Sequence, residues 1–240
     1  MTTPPAAITA NSWLFAALRA IVAVLVGAAI GVQLHVSIGY WHDAGVKDVT
    51  VNIVNFFSFF TIDSNTLTVA VCAIGAVLLA VRGPRSPGWF EMLRAAAVTY
   101  MVVTGIVYNL LLRGIELPQG STVPWSNEVL HVVAPAYLVV DWLLAPGRRR
   151  LGLRAIAYLL IFPVVWVVYT LVRGPHVTDL VAHLPYWYPY PFLNPHTSGG
   201  YGSVAVYIVI IAVGIAAVAT GVVYASRLGG RSPADRIVRR

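Results

Sequence analysis

The chain is 240 residues long, 58% hydrophobic and only 10% charged, with a formal net charge of +7 and a mean hydropathy of +0.77. A soluble domain carries about 25% charged residues, so these values exclude an ordinary soluble enzyme and imply an integral membrane protein with little mass outside the bilayer. The single cysteine, Cys72, excludes a disulfide framework and a thiolate metal cluster.

About 20 apolar residues cross the hydrocarbon core. On that measure six spans follow one another, at residues 13–36, 55–81, 94–112, 127–144, 154–172 and 201–226. No Lys or Arg precedes Trp13, and the first run is too long for a signal peptide, so it reads as a retained helix. The second span stops at Arg82-Gly83-Pro84-Arg85-Ser86-Pro87-Gly88, a strong turn signal. The fourth closes on Pro146-Gly147-Arg148-Arg149-Arg150, and the fifth is interrupted by Pro163. The expected fold is an all-α integral membrane protein. Residues 1–226 form one six-helix transmembrane domain, and a basic tail, residues 227–240, is expected to be poorly ordered.

Basic residues set the expected orientation. With both termini cytoplasmic, Arg19, Arg82, Arg85, Arg94, Arg148, Arg149, Arg150, Arg154 and the five tail arginines lie inside, against Lys47, Arg113 and Arg173 outside. That asymmetry is a strong positive-inside bias. Lys47 is the only lysine among 16 basic residues, a usage that hints at a GC-rich bacterial genome and hence at the bacterial inner (plasma) membrane. The Arg148, Arg149 and Arg150 cluster reads as a topology signal and lipid-headgroup contact, so no nucleic-acid partner is expected.

Polar chemistry interrupts two spans. The second opens Phe56-Phe57-Ser58-Phe59-Phe60-Thr61-Ile62-Asp63-Ser64-Asn65, and as one continuous helix it places Ser58, Thr61, Asn65 and Thr68 on one face. Polar groups in lipid are costly and tend to face a bundle interior or a wet cavity, although hydroxyls also serve as glue between helices. The fourth span carries Asn127, Glu128 and His131 on one face, and Pro135 leaves the His131 carbonyl without its helical donor. Counted along a helix, Thr61 lies about 31 Å from Arg82 and His131 about 25 Å from Arg148, so both belong to the same half of the bilayer. Asp63 points elsewhere and is expected to pair with Arg113 or Arg173; Asp141, near the inner end, with Arg94 or Arg154.

The longest connection joins spans five and six. It holds Tyr186-Trp187-Tyr188-Pro189-Tyr190-Pro191-Phe192-Leu193-Asn194. Its prolines stiffen it, so it reads as a lid formed by Tyr188, Pro189, Tyr190, Pro191, Phe192 and Asn194, or equally as an interfacial aromatic belt. The spacing of His176, His183 and His196 matches no standard ligand motif, and no metal or other cofactor is expected.

Three segments together resemble the androgen-induced membrane hydrolases and their bacterial relatives. They are Phe59-Phe60-Thr61-Ile62-Asp63-Ser64-Asn65, then Asn127 with His131, Pro135 and Asp141-Trp142, and then Trp187-Tyr188-Pro189-Tyr190-Pro191-Phe192-Leu193. The resemblance runs in order over most of the six-helix core. Animal members hydrolyse fatty acid esters of hydroxy fatty acids with a membrane threonine nucleophile and a histidine, and Thr61 and His131 match those two positions. The chain departs from the animal members in Glu128, one turn before the histidine, and in Ile62-Asp63-Ser64-Asn65 after the threonine.

The resemblance implies a hydrolase of lipid-like esters, with the bilayer and a lipid ester as partners. Threonine needs a base to take its proton, and His131 has a suitable intrinsic pKa. Thr61 and His131 are therefore the expected catalytic pair, within about 3–4 Å or one water of each other. Supporting roles fall to Glu128 and Asn127 beside the imidazole and to Asn65 as an oxyanion donor. The alternative is a membrane protein that binds or transports a small molecule or lipid, in which the same residues form a polar outward-facing pocket. The expected inverted repeats of a transporter are not evident.

Overall fold

A computed structural model describes residues 9–115, 120 and 122–228. The expected basic tail, beyond Leu228, lies outside the described residues. Among those residues there is no strand, only an isolated bridge between Asp179 and Leu184, and six helices are long and apolar enough to cross a membrane.

The first helix, α1 (Ala10–Asp43), is capped by the Thr9 hydroxyl, which accepts the Ser12 N–H. It runs seven residues past the expected limit at residue 36. The second span departs more: α2 (Thr50–Phe56) and α3 (Phe60–Arg82) are separate helices broken at residues 57–59. Four phenylalanines crowd this stretch; Phe56, Phe59 and Phe60 are buried and Phe57 is exposed. The break removes Ser58 from the expected polar face. Its hydroxyl instead bonds the Val54 carbonyl and the Tyr169 hydroxyl. Gly83, at φ 61°, ends α3.

The third long apolar helix, α4 (Gly88–Val107), begins six residues earlier than expected and continues as a π-helical turn over Tyr108–Leu112. The fourth opens with α5 (Pro124–Glu128), passes through a second π turn at Val129–Val133 and finishes as α6 (Ala134–Leu144). The last two long helices, α7 (Arg154–Arg173) and α8 (Gly200–Ala225), agree with expectation to within one residue.

One end of the bundle gathers the start of α1 with the ends of α3 and α6: Phe15, Ala16, Leu79 and Ala145 form a small cluster there. Arg148, Arg149 and Arg150 follow at this end. Just inside it lies a buried ion network. Arg19 grips Asp141 through two bonds of 2.8 and 3.0 Å, and Arg94 bridges Asp141 at 2.9 Å and Glu91 at 2.9 Å. Asp141 thus meets Arg94, as expected, and also Arg19, which the sequence counts only among the charges of the cytoplasmic side. Arg19 reaches this position because Gly75 has no side chain: a Cβ there would lie 2.9 Å from the guanidinium and 2.8 Å from the Phe90 ring. The network joins α1, α4 and α6 and leaves the opposite end of the bundle to carry the polar site.

Candidate active site

The site begins at the break before α3. Phe59 occupies the N-cap with extended backbone and no capping side chain, so the first N–H groups of the helix need partners from elsewhere. The loop between α7 and α8 supplies one: the Tyr190 hydroxyl accepts the Thr61 N–H at 3.2 Å and lies 3.3 Å from Thr61 Oγ1. Tyr190 is held by an edge-on contact with Phe59 and a stacked Phe192. Burial pushes its phenol up to about 12, so it remains protonated across the physiological range.

The fourth long helix brings the histidine. His131 sits within the π turn, a distortion frequent at functional sites, and Gly105 lets α4 approach it closely. A Cβ on Gly105 would lie only 3.2 Å from the His131 carbonyl and 3.3 Å from Pro135. The imidazole Nδ1 is 2.9 Å from the Asn127 backbone carbonyl. A carbonyl can only accept, so Nδ1 carries the proton and Nε2 presents its lone pair. That Nε2 faces Thr61 Oγ1 at 3.4 Å. Tyr108 stacks on the imidazole with ring centroids 3.8 Å apart, and its hydroxyl accepts a bond from Asn127 Nδ2.

Two supporting roles read from the sequence need correction. Glu128 does not hold the imidazole; it forms a two-pronged pair with Arg113, at 2.7 and 3.2 Å, on the exposed surface. Its place on Nδ1 is taken by the Asn127 main chain, one turn back in the same helix. Asn65 is not free to serve an oxyanion, because its side-chain amide donates to the Thr61 carbonyl at 2.9 Å and to the Leu130 carbonyl at 3.2 Å. It ties the threonine helix to the histidine helix instead. The expected partners of Asp63 are also engaged elsewhere, Arg113 with Glu128 and Arg173 with Asn55 at 2.7 Å.

The expected lid lies deeper than a lid. Tyr188, Pro189 and Tyr190 are buried, Trp187 packs edge-on against Phe59, and the Trp187 N–H bonds the Gly174 carbonyl. Gly174 is required there, since any Cβ would strike the Tyr188 ring. Tyr190 and Phe192 line a space beside Thr61, whereas Tyr188, Pro189, Pro191 and Asn194 support the loop without lining it.

Thr61 stands between two hollows. One, of about 400 Å³, is partly polar and is lined by Gln33, Thr122, Asn127 and His131 among others. The second, of about 140 Å³, is an apolar groove between α4, α7 and α8. Sequence reasoning missed Tyr108 altogether and placed Tyr190 in the pocket lid without a role at Thr61. Each acts across a separation of 19 or more positions from its partners, and no local spacing signals such a contact. Comparisons of this chain with protein-family models, curated proteins and solved structures return no match.

Proposed function

We propose that the protein is a membrane-embedded hydrolase of lipid-like esters, with Thr61 as nucleophile and His131 as base. The observation that carries this reading is the tautomer: with Nδ1–H fixed on the Asn127 carbonyl, the Nε2 lone pair is aimed at the Thr61 hydroxyl. As Thr61 Oγ1 attacks the ester carbonyl carbon, its proton passes to Nε2. The charge that develops on the carbonyl oxygen is met by the Tyr190 hydroxyl, already beside Oγ1. His131 then returns the proton to the leaving alkoxide, releasing an alcohol and leaving an acyl-threonine. Water, deprotonated by the same Nε2, hydrolyses that intermediate to the acid and restores the hydroxyl. The chemistry needs no cofactor beyond these side chains.

The six apolar helices support a multi-pass membrane protein. An even number of crossings returns both termini to one side, and the arginine-rich end makes that side the cytoplasm of a bacterial inner membrane. Arg19 and Arg94 are committed to Asp141, so the bias rests on the remaining arginines of that end. The catalytic pair then lies in the outer leaflet. Accessibility labelling of residues 178–183 from outside, and of Arg148 only after permeabilisation, checks this orientation. The resemblance to the androgen-induced hydrolases supports the same chemistry.

The deciding experiment is covalent. A fluorophosphonate probe should label the wild type at Thr61 and leave Thr61→Ala unlabelled. A protein that only binds or transports its ligand would show no labelling in either form.

A further inference from the structure

The apolar groove beside Thr61 has no role in the proton transfers, yet Thr61 forms part of both its wall and the wall of the polar cavity. An ester whose carbonyl carbon is at Oγ1 must send its two halves to either side of this residue. His131 decides which half goes where. It lines the polar cavity and not the groove, and it must reach the oxygen of the departing alcohol. We infer that the groove between α4, α7 and α8 is the acyl-chain site, and that the cavity on the His131 side receives the alcohol half. The inference rests on the hydrolase reading and adds the direction in which the substrate lies.

The groove suits a hydrocarbon chain. Its few polar atoms are already engaged: Thr104 Oγ1 with Ser64 Oγ at 3.2 Å, Trp166 Nε1 with the Ser58 carbonyl at 3.1 Å, Tyr190 with Thr61, and Tyr108 with Asn127. A polar ligand would find no free partner, so burying one there would be costly. On α8 the wall runs from Ile208 to Ile215, about 10 Å along the helix. Ala212 and Val164 stand on its rim and are exposed on the apolar belt of the bundle, so the groove opens sideways, between α7 and α8, toward lipid. A chain therefore enters from the bilayer, lays its first carbons against Thr104 and Ile215, and leaves its remaining length among the lipid tails.

The test uses the full-length protein in nanodiscs and a series of p-nitrophenyl esters from acetate to dodecanoate. In the wild type, kcat/KM referred to the ester concentration in the nanodisc lipid, so that partitioning is divided out, should depend on acyl length until the groove is filled and then level off. Ala212→Trp, which fills the groove from its exposed rim, should abolish that length dependence and leave the acetate rate within about twofold, since acetate places no chain in the groove. An unchanged chain-length profile in Ala212→Trp, with hydrolysis intact, would overturn the groove assignment and leave the hydrolase reading standing. A second measurement does not depend on turnover. Thr61→Ala is photolysed with a long-chain ester carrying a diazirine on its acyl chain, and the cross-link is mapped. Label on the buried floor residues Thr104 or Ile215, competed by unlabelled ester and lost in Ala212→Trp, supports the assignment. Label on Gln33 or Thr122 places the chain in the polar cavity and overturns it. If the floor is labelled but the wild type hydrolyses no ester, the groove remains a lipid-chain site and the hydrolase reading fails alone.

Discussion

Thr61 and His131 are 70 positions apart in the chain, yet Oγ1 and Nε2 face each other at 3.4 Å. Between them they leave one defined route for a proton, because the other imidazole nitrogen is held by the Asn127 carbonyl at 2.9 Å. The pair should therefore behave as a single unit. Thr61→Ala and His131→Ala should each lower kcat by about 10⁴-fold or more, and the double variant by little more than either, because residues acting together are non-additive. Thr61→Ser should retain measurable turnover, since it keeps the hydroxyl. A multiplicative loss in the double variant would mean that the two residues do not share a step.

Tyr190 has two separable contributions. Its hydroxyl lies 3.3 Å from Thr61 Oγ1, so under the proposed hydrolase mechanism Tyr190→Phe should lower kcat by about 10²–10³-fold with little change in KM. The ring remains to pack against Phe59 and Trp166, so the variant should fold. The titration of the phenol has a defined sign. Burial raises it to about 12, whereas an unfolded chain sheds the proton near pH 10. The stabilisation from keeping that proton is complete below about pH 10 and is lost as pH rises toward about 12. Thermal melts of wild type and Tyr190→Phe between pH 8 and 11 should diverge only above about pH 10, with the wild type falling more steeply.

Glu128 should matter less than its position one turn from His131 implies. It is paired with Arg113 on an exposed surface, and such pairs contribute little to stability. Glu128→Gln and Arg113→Gln should each melt within about 2 °C of the wild type. Turnover should stay within about fivefold, and the two variants should resemble each other. Steady-state kinetics of both separate this from a direct role: a collapse in Glu128→Gln alone would restore the carboxylate to the imidazole.

The opposite end of the bundle should be far less tolerant. Asp141→Asn removes the carboxylate that Arg19 and Arg94 share and leaves two buried guanidinium groups with reduced compensation. Breaking a buried pair in this way costs about 3–5 kcal/mol. The loss should appear as a large drop in melting temperature, with the fluorophosphonate reactivity of Thr61 preserved at low temperature because the network lies toward the other end of the bundle. A melt equal to that of Glu128→Gln would show that the network does not lock the helices.

Composition alone determined that this chain has six helices of membrane-spanning length, because apolar runs near 20 residues answer to the bilayer as a solvent. Local pattern also singled out Thr61, His131 and the Tyr190 loop, since polar or proline-stiffened residues stand out against so apolar a background. Tertiary packing decided the rest. The break at residues 57–59 turns Thr61 from a mid-helix residue into one at a helix start, where the Tyr190 hydroxyl accepts its N–H. Tyr190 supplies its hydroxyl across 129 positions, and Arg19 finds Asp141 across 122. Such partners depend on how far each helix is rotated and how closely Gly75 and Gly105 let its neighbours approach. Glu128 shows the same limit over a short distance. Helical spacing set it on the His131 face, but the guanidinium of Arg113, 15 positions away, offered its carboxylate a better-matched two-pronged partner.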